Sequence, residues 1–154
     1  MDHFHYKDGV LHAENLPLPS LAAAVGTPVY VYSRATLERH ADAFIDGLSA
    51  VPRKHIAFAI KANPNLGVLR VLARKGFGAD VVSGGELERA IAAGMDPADI
   101  VFSGVGKTRA EMALGLDRRI GQFNIEHEPE GEALAAIAAE RGMRADAVLR
   151  VNPD

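Results

Sequence analysis

Five short β-rich runs recur along the chain at nearly constant spacing. "HIAFAIKAN", "GADVVSG", "DIVFSG", "GQFNIEH" and "DAVLRVN" begin near residues 56, 79, 99, 122 and 146, in steps of 23, 20, 23 and 24. A step of that length holds one strand and one helix, so the repeat predicts an α/β fold of units stacked side by side. The sheet is then parallel, with right-handed crossovers.

The segments between the runs carry helical patterns. "NLGVLRVLARKG" sets Leu66, Leu69 and Leu72 on one face, and "GELERAIAAG" does the same with Leu87, Ala90 and Ile91. Ser83 with Glu86, and Thr108 with Glu111, have capping-box spacing. "EPEGEALAAIAAERG" puts Pro129 near a helix start, Leu134, Ile137 and Ala138 on one side, and Gly142 at the end. Upstream, "GTPVYVYS" reads as a strand. "SRATLERHADAFIDGL" follows as a helix with Ser33 as N-cap and an apolar stripe of Leu37, Ala41, Phe44, Ile45 and Leu48. An eight-stranded barrel takes about 250 residues. Five strands in a chain of 154 residues are therefore either a small open sheet or an incomplete barrel with two unpaired edges.

Composition narrows the function classes. Apolar residues make up 48% of the chain, enough for a core. Seventeen basic and twenty acidic side chains give a net charge of −3, so no basic surplus points to nucleic acid or an anionic membrane. There is no cysteine for disulfides or thiolate metal sites, and the six histidines lack metal-ligand spacing. No run approaches the roughly 20 apolar residues of a membrane helix, and "MDHFHYKDG" does not read as a secretory signal. The expectation is a soluble cytoplasmic protein.

Side chains alternate faces along a strand. In "HIAFAIKAN", Ile56, Phe58 and Ile60 share one face, while Ala57, Ala59 and Lys61 share the other. Lys61 would then sit at the strand's C-terminal end, on the roomy side. The same parity groups Asn124 with Glu126, and Val148 with Arg150 and Asn152; Asp80 opens the "DVVSG" run. Catalytic groups of barrels come from strand C-terminal ends. Convergence there suggests a site, with Lys61 as the one side chain whose setting suits covalent chemistry. A solvated strand-end lysine is the ordinary alternative.

"SGVGKT" carries the tail of a phosphate loop, Gly106-Lys107-Thr108. Its first glycine should stand at 101, where Val101 occupies a predicted strand. The better reading is a βα turn in which Thr108 caps the next helix. "SGGE" lacks the dinucleotide-binding pattern.

"FAIKANPNLGVLRVLARKGFGADVVSGGELERAIAAG" closely resembles the diaminopimelate decarboxylase family. These are pyridoxal-phosphate enzymes of the alanine racemase-like, ornithine decarboxylase-related group. The resemblance runs from "GTPVYVYS" through "IVFSGVGKT" and "FNIE" to "LRVNPD". It implies an eight-stranded α/β barrel followed by a β-rich domain. Residues 1–34 would form an N-terminal segment with one strand, and 35–154 the N-terminal part of the barrel, with about five of eight strands and without the C-terminal domain.

By the resemblance, Lys61 aligns with the lysine that carries pyridoxal 5'-phosphate, Asp80 with an acidic residue near the cofactor, and Arg150 with a basic residue of the same pocket. Enclosure of Lys61 would favour its reactive neutral form. No metal is implied. The implied substrate is meso-diaminopimelate, decarboxylated to L-lysine, in a homodimer whose second subunit completes the site. The 154-residue chain alone is expected to have little activity. Ornithine or arginine decarboxylases and racemases are the nearest rivals within the fold. A non-catalytic pyridoxal-phosphate binder is a second class, and a small nucleotide binder a third.

Overall fold

The computed structural model describes residues 2–153. The chain divides between Pro52 and Arg53 into two compact units.

In the first unit, β1 (Phe4–Lys7) and β2 (Val10–Ala13) form an antiparallel hairpin, and β3 (Leu16–Pro17) pairs with β2. Asp8 and Gly9 link β1 to β2 with φ of 51° and 76°. Asp-Gly is the pair that such a two-residue turn selects. Helix α1 spans Leu18–Val25 and α2 spans Arg34–Gly47. Ser33 caps α2 by accepting the Thr36 N–H, and Glu14 Oε1 accepts from Ser33 Oγ and the Ala35 N–H, both at 2.8 Å. These bonds, the Ala35 amide foremost, hold the Glu14 carboxyl below the ordinary glutamate range.

The strand expected in "GTPVYVYS" is absent: residues 26–33 join no ladder, and the sheet of this unit is built from β1–β3 instead. An isolated extended segment has no ladder to satisfy its backbone groups, and Pro28 lacks an N–H to donate.

The second unit holds the repeat. Its strands are β4 (Ala57–Ala59), β5 (Gly78–Val81), β6 (Ile100–Phe102), β7 (Gln122–Ile125) and β8 (Ala147–Leu149). They pair in parallel, in sequence order. Helices α3 (Leu66–Arg74), α4 (Gly84–Ala92), α5 (Arg109–Asp117) and α6 (Glu128–Glu140) connect them. With a constant crossover hand and a sequential strand order, every connecting helix lies on the same face of the sheet.

Burial follows the pleat. Ala79, Val81, Ile100, Phe102, Phe123 and Ile125, on the helix side, are at most 4% exposed. Phe102 and Phe123 stack with ring centroids 6.2 Å apart. On the other face Ala59, Asp80, Val101, Gln122 and Asn124 are half-buried, and Ala57 and Val148 are exposed.

The sheet is pinned at its N-terminal end. A 3-10 turn, Pro97–Asp99, leads into β6 and presses against two glycines. A Cβ on Gly78 would overlap the Asp99 carbonyl oxygen, and one on Gly121 would overlap that of Ala98.

Candidate active site

Each turn after β5, β6 and β7 ends in the same kind of helix cap. Thr108 Oγ1 accepts the Glu111 N–H, and Glu111 Oε2 accepts the Thr108 N–H, a complete capping box. Glu111 Oε1 also accepts the Gly84 N–H at 2.8 Å, tying the start of α4 to that of α5. Ser83 accepts the Glu86 N–H as expected, but Glu86 returns its bond to the Val82 N–H. His127 Nδ1 accepts the Glu130 N–H, and Glu130 Oε2 accepts that of Glu126. Three strand ends are thereby held in fixed relation to the helices behind them.

Lys61 stands beyond the end of β4. The strand stops at Ala59 and the chain turns into a 3-10 segment, Ile60–Ala62, closed by the Asn63 N–H on the Ile60 carbonyl at 3.1 Å. The "NPN" sequence causes this: Asn63 Oδ1 accepts the Asn65 N–H in an Asx turn, around a proline that cannot continue a ladder. Strand alternation therefore does not set the direction of Lys61, contrary to the parity argument. Lys61 is exposed and has no hydrogen bond or ion pair among the described residues. The enclosure expected around its amine is not supplied by the described residues; β4, which precedes it, is the edge strand of the sheet.

Asp80 faces away from the helices, in register with Ala59 on β4 and Val101 on β6. Its Oδ1 accepts from Ser103 Oγ at 2.5 Å. Ser103 in turn accepts from Asn124 Nδ2 at 2.9 Å, and Asn124 Oδ1 accepts from Gln122 Nε2 at 2.7 Å. A polar line thus crosses β5, β6 and β7 on the open face.

Arg150 lies just past β8, where its N–H donates to the Ile125 carbonyl at 2.9 Å. Its guanidinium donates to Glu126 Oε1 at 3.2 Å, half of the side chain remaining exposed. Glu126 also accepts the Gly104 N–H at 3.1 Å. Burial pushes the Glu126 carboxyl up, but the Gly104 amide and the Arg150 charge outweigh it and hold the group below its ordinary range. Glu126 lies just past the end of β7, so strand alternation applies to Asn124 but not to Glu126.

Lys107 is unavailable to a phosphate. Its side chain is fully buried, with Nζ 2.6 Å from the Gly104 carbonyl and 2.7 Å from Glu130 Oε1. The β6–α5 turn is a strut rather than a phosphate loop.

Sequence reasoning missed Ser103, Gln122 and the Lys107–Glu130 pair. Ser103 was legible by parity, two positions beyond Val101. The ion pair had no local signal, since its partners are 23 residues apart (130 − 107).

These residues suit a cofactor that needs an unpaired amine and an anionic neighbour. Lys61 supplies the amine, and Asp80 is a carboxylate with no cation partner among the described residues. The small Ala57 and Ala59 side chains leave room beside them. No helix among the described residues is long and apolar enough to cross a membrane.

Comparison with known proteins gives the same direction. Over its full length the chain is 56% identical to the diaminopimelate decarboxylase of Vibrio cholerae and 53% identical to that of Pseudomonas aeruginosa, in each case spanning 37% of the relative's length. It superposes with a TM-score of 0.92, at 35% identity, on diaminopimelate decarboxylase from M. jannaschii in complex with L-lysine, over 98% of this chain and 36% of that one. The five parallel strands are part of the α/β barrel of these enzymes. Residues 34–154 match the model of the pyridoxal-dependent decarboxylase, pyridoxal binding domain, and the chain belongs to that family.

Proposed function

We propose that this chain forms the cofactor-bearing part of a pyridoxal-phosphate decarboxylase that converts meso-diaminopimelate to L-lysine. Residues 35–154 would be the first portion of its barrel, and the whole protein would work as a homodimer. The observation that carries this reading is the amine of Lys61, without a partner among the described residues, just past a strand end whose last residue is in register with Asp80. The 56% identity to a diaminopimelate decarboxylase favours that substrate.

Lys61 would hold the cofactor through Nζ, and Asp80 and Arg150 would border it. When bound, the cofactor supplies an electron sink for the charge left on the substrate's α-carbon as CO₂ departs. The protein groups do the rest. Lys61 Nζ, once released by substrate, can hold a proton and return it to the reacting carbon. Asp80 would present its carboxylate to the cofactor. Glu126 spends one oxygen on Arg150, fixing the guanidinium, while its other N–H groups have no partner among the described residues and would face an anionic group.

The test is borohydride reduction of the protein treated with pyridoxal phosphate, followed by peptide mapping. The expected result is a reduced pyridoxyl mass on Lys61, together with release of CO₂ and L-lysine by the whole protein. A label on another lysine would overturn the assignment.

A further inference from the structure

We propose that Ser103 is a positioning residue for Asp80, fixing one carboxylate oxygen so that the other is left for the cofactor. The proposal rests on the preceding reading of Lys61 and Asp80.

Ser103 directly follows β6, and its N–H donates to the Val81 carbonyl at 2.8 Å, so its backbone is anchored to the strand that bears Asp80. A hydroxyl has one proton to give, and an ionised carboxylate can only accept. The proton of Ser103 therefore goes to Asp80 Oδ1, at the short end of the range for a charge-assisted bond. That leaves the Ser103 oxygen as acceptor. Asn124 must then turn its amide N–H toward Ser103 and its carbonyl toward Gln122, which is the arrangement found.

Every hydrogen in the line thus points toward Asp80. Gln122 donates to Asn124, Asn124 to Ser103, and Ser103 to Asp80. Aligned donors of this kind polarise one another, and their positive ends all face the carboxylate. The donors of this line are all neutral groups. Glu126 differs: it is neutralised by Arg150, whereas Asp80 has no cation partner among the described residues. Oδ2 has no partner among the described residues to compete with an incoming cationic nitrogen.

The test uses the whole protein loaded with pyridoxal phosphate, with S103A, S103T and N124A compared to wild type. Three readouts are taken: the borohydride label on Lys61, the pH dependence of the bound cofactor's visible absorbance, and kcat and KM separately. S103A is expected to shift the absorbance midpoint and to lower kcat by about 10- to 100-fold, the usual range for losing an orienting neighbour, with KM little changed. S103T keeps the hydroxyl and is expected to restore both, while N124A gives a smaller shift in the same sense. A label on Lys61 with an absorbance profile and kcat in S103A equal to wild type overturns the role of Ser103 alone. A label elsewhere overturns the assignment of Lys61 and this proposal with it.

Discussion

Lys107 Nζ lies 2.7 Å from Glu130 Oε1, with the two side chains 0% and 2% exposed, and the same ammonium group sits 5.9 Å from the centre of the Phe102 ring. The pair joins the turn after β6 to the first turn of α6. Glu130 Oε2 continues the connection to the Glu126 N–H, and the Glu126 carboxylate goes on to Gly104 and Arg150. A buried ion pair is therefore linked through Glu126 to the Arg150 guanidinium.

Breaking that pair from one side leaves a buried charge without a partner. K107A is expected to destabilise the protein by about 3–5 kcal/mol, the range for an orphaned buried ion. K107M/E130Q should be less damaged than K107M alone, because the stranded carboxylate is then gone. Urea denaturation of the two variants measures the difference. Equal midpoints would show that the pair is not coupled.

Space alone separates two glycine substitutions. G121A drives a methyl group into the Ala98 carbonyl oxygen and is expected to cost about 1–3 kcal/mol, or more where the backbone cannot shift. G106A meets nothing within 4 Å and should stay within about 0.5 kcal/mol of wild type. Thermal melts of the pair check the ranking.

Glu111 makes part of the stability pH-dependent. The Thr108 and Gly84 amides hold its folded carboxyl below the ordinary value of 4.5, so the folded state binds this proton less readily than the unfolded chain. Its contribution is fully present above about pH 4.5 and is lost as pH falls through the lower folded value. E111Q should be less stable than wild type at neutral pH, and the gap should narrow on acidification. A gap that is constant from pH 7 to pH 3 would contradict this.

Lys61 offers the opposite case, a residue whose chemistry and stability separate. K61A removes an exposed side chain with no partner among the described residues, so unfolding should change by no more than about 0.5 kcal/mol. The same variant should lose the borohydride-fixed pyridoxyl label. Denaturation curves and mass spectrometry on one preparation read both outcomes.

The repeat was legible because strand and helix periods differ. Runs expected near 56, 79, 99, 122 and 146 became strands starting at 57, 78, 100, 122 and 147. Parallel pairing in sequence order followed from spacing and handedness. The site was legible only where strand alternation applied. Asn124 obeys it, but Lys61 lies past the early end of its strand, just before an Asx turn. Val101 argued correctly against a phosphate loop at Lys107, but the buried partner that claims this lysine, Glu130, belongs to another helix and left no local signal. In the first unit, Asp8-Gly9 carried a hairpin signal, whereas the valine- and tyrosine-rich "VYVY" has strand propensity but no neighbour to pair with.

Gly78 and Gly121 grip the 3-10 turn before β6 from either side, and this has an evolutionary consequence. At that end of the sheet, substitution is vetoed by backbone crowding whatever the substrate. At the opposite end, the helix caps secure the scaffold and leave the outward loop positions at liberty to drift. Loops at that end could thus vary without disturbing the foundation beneath them.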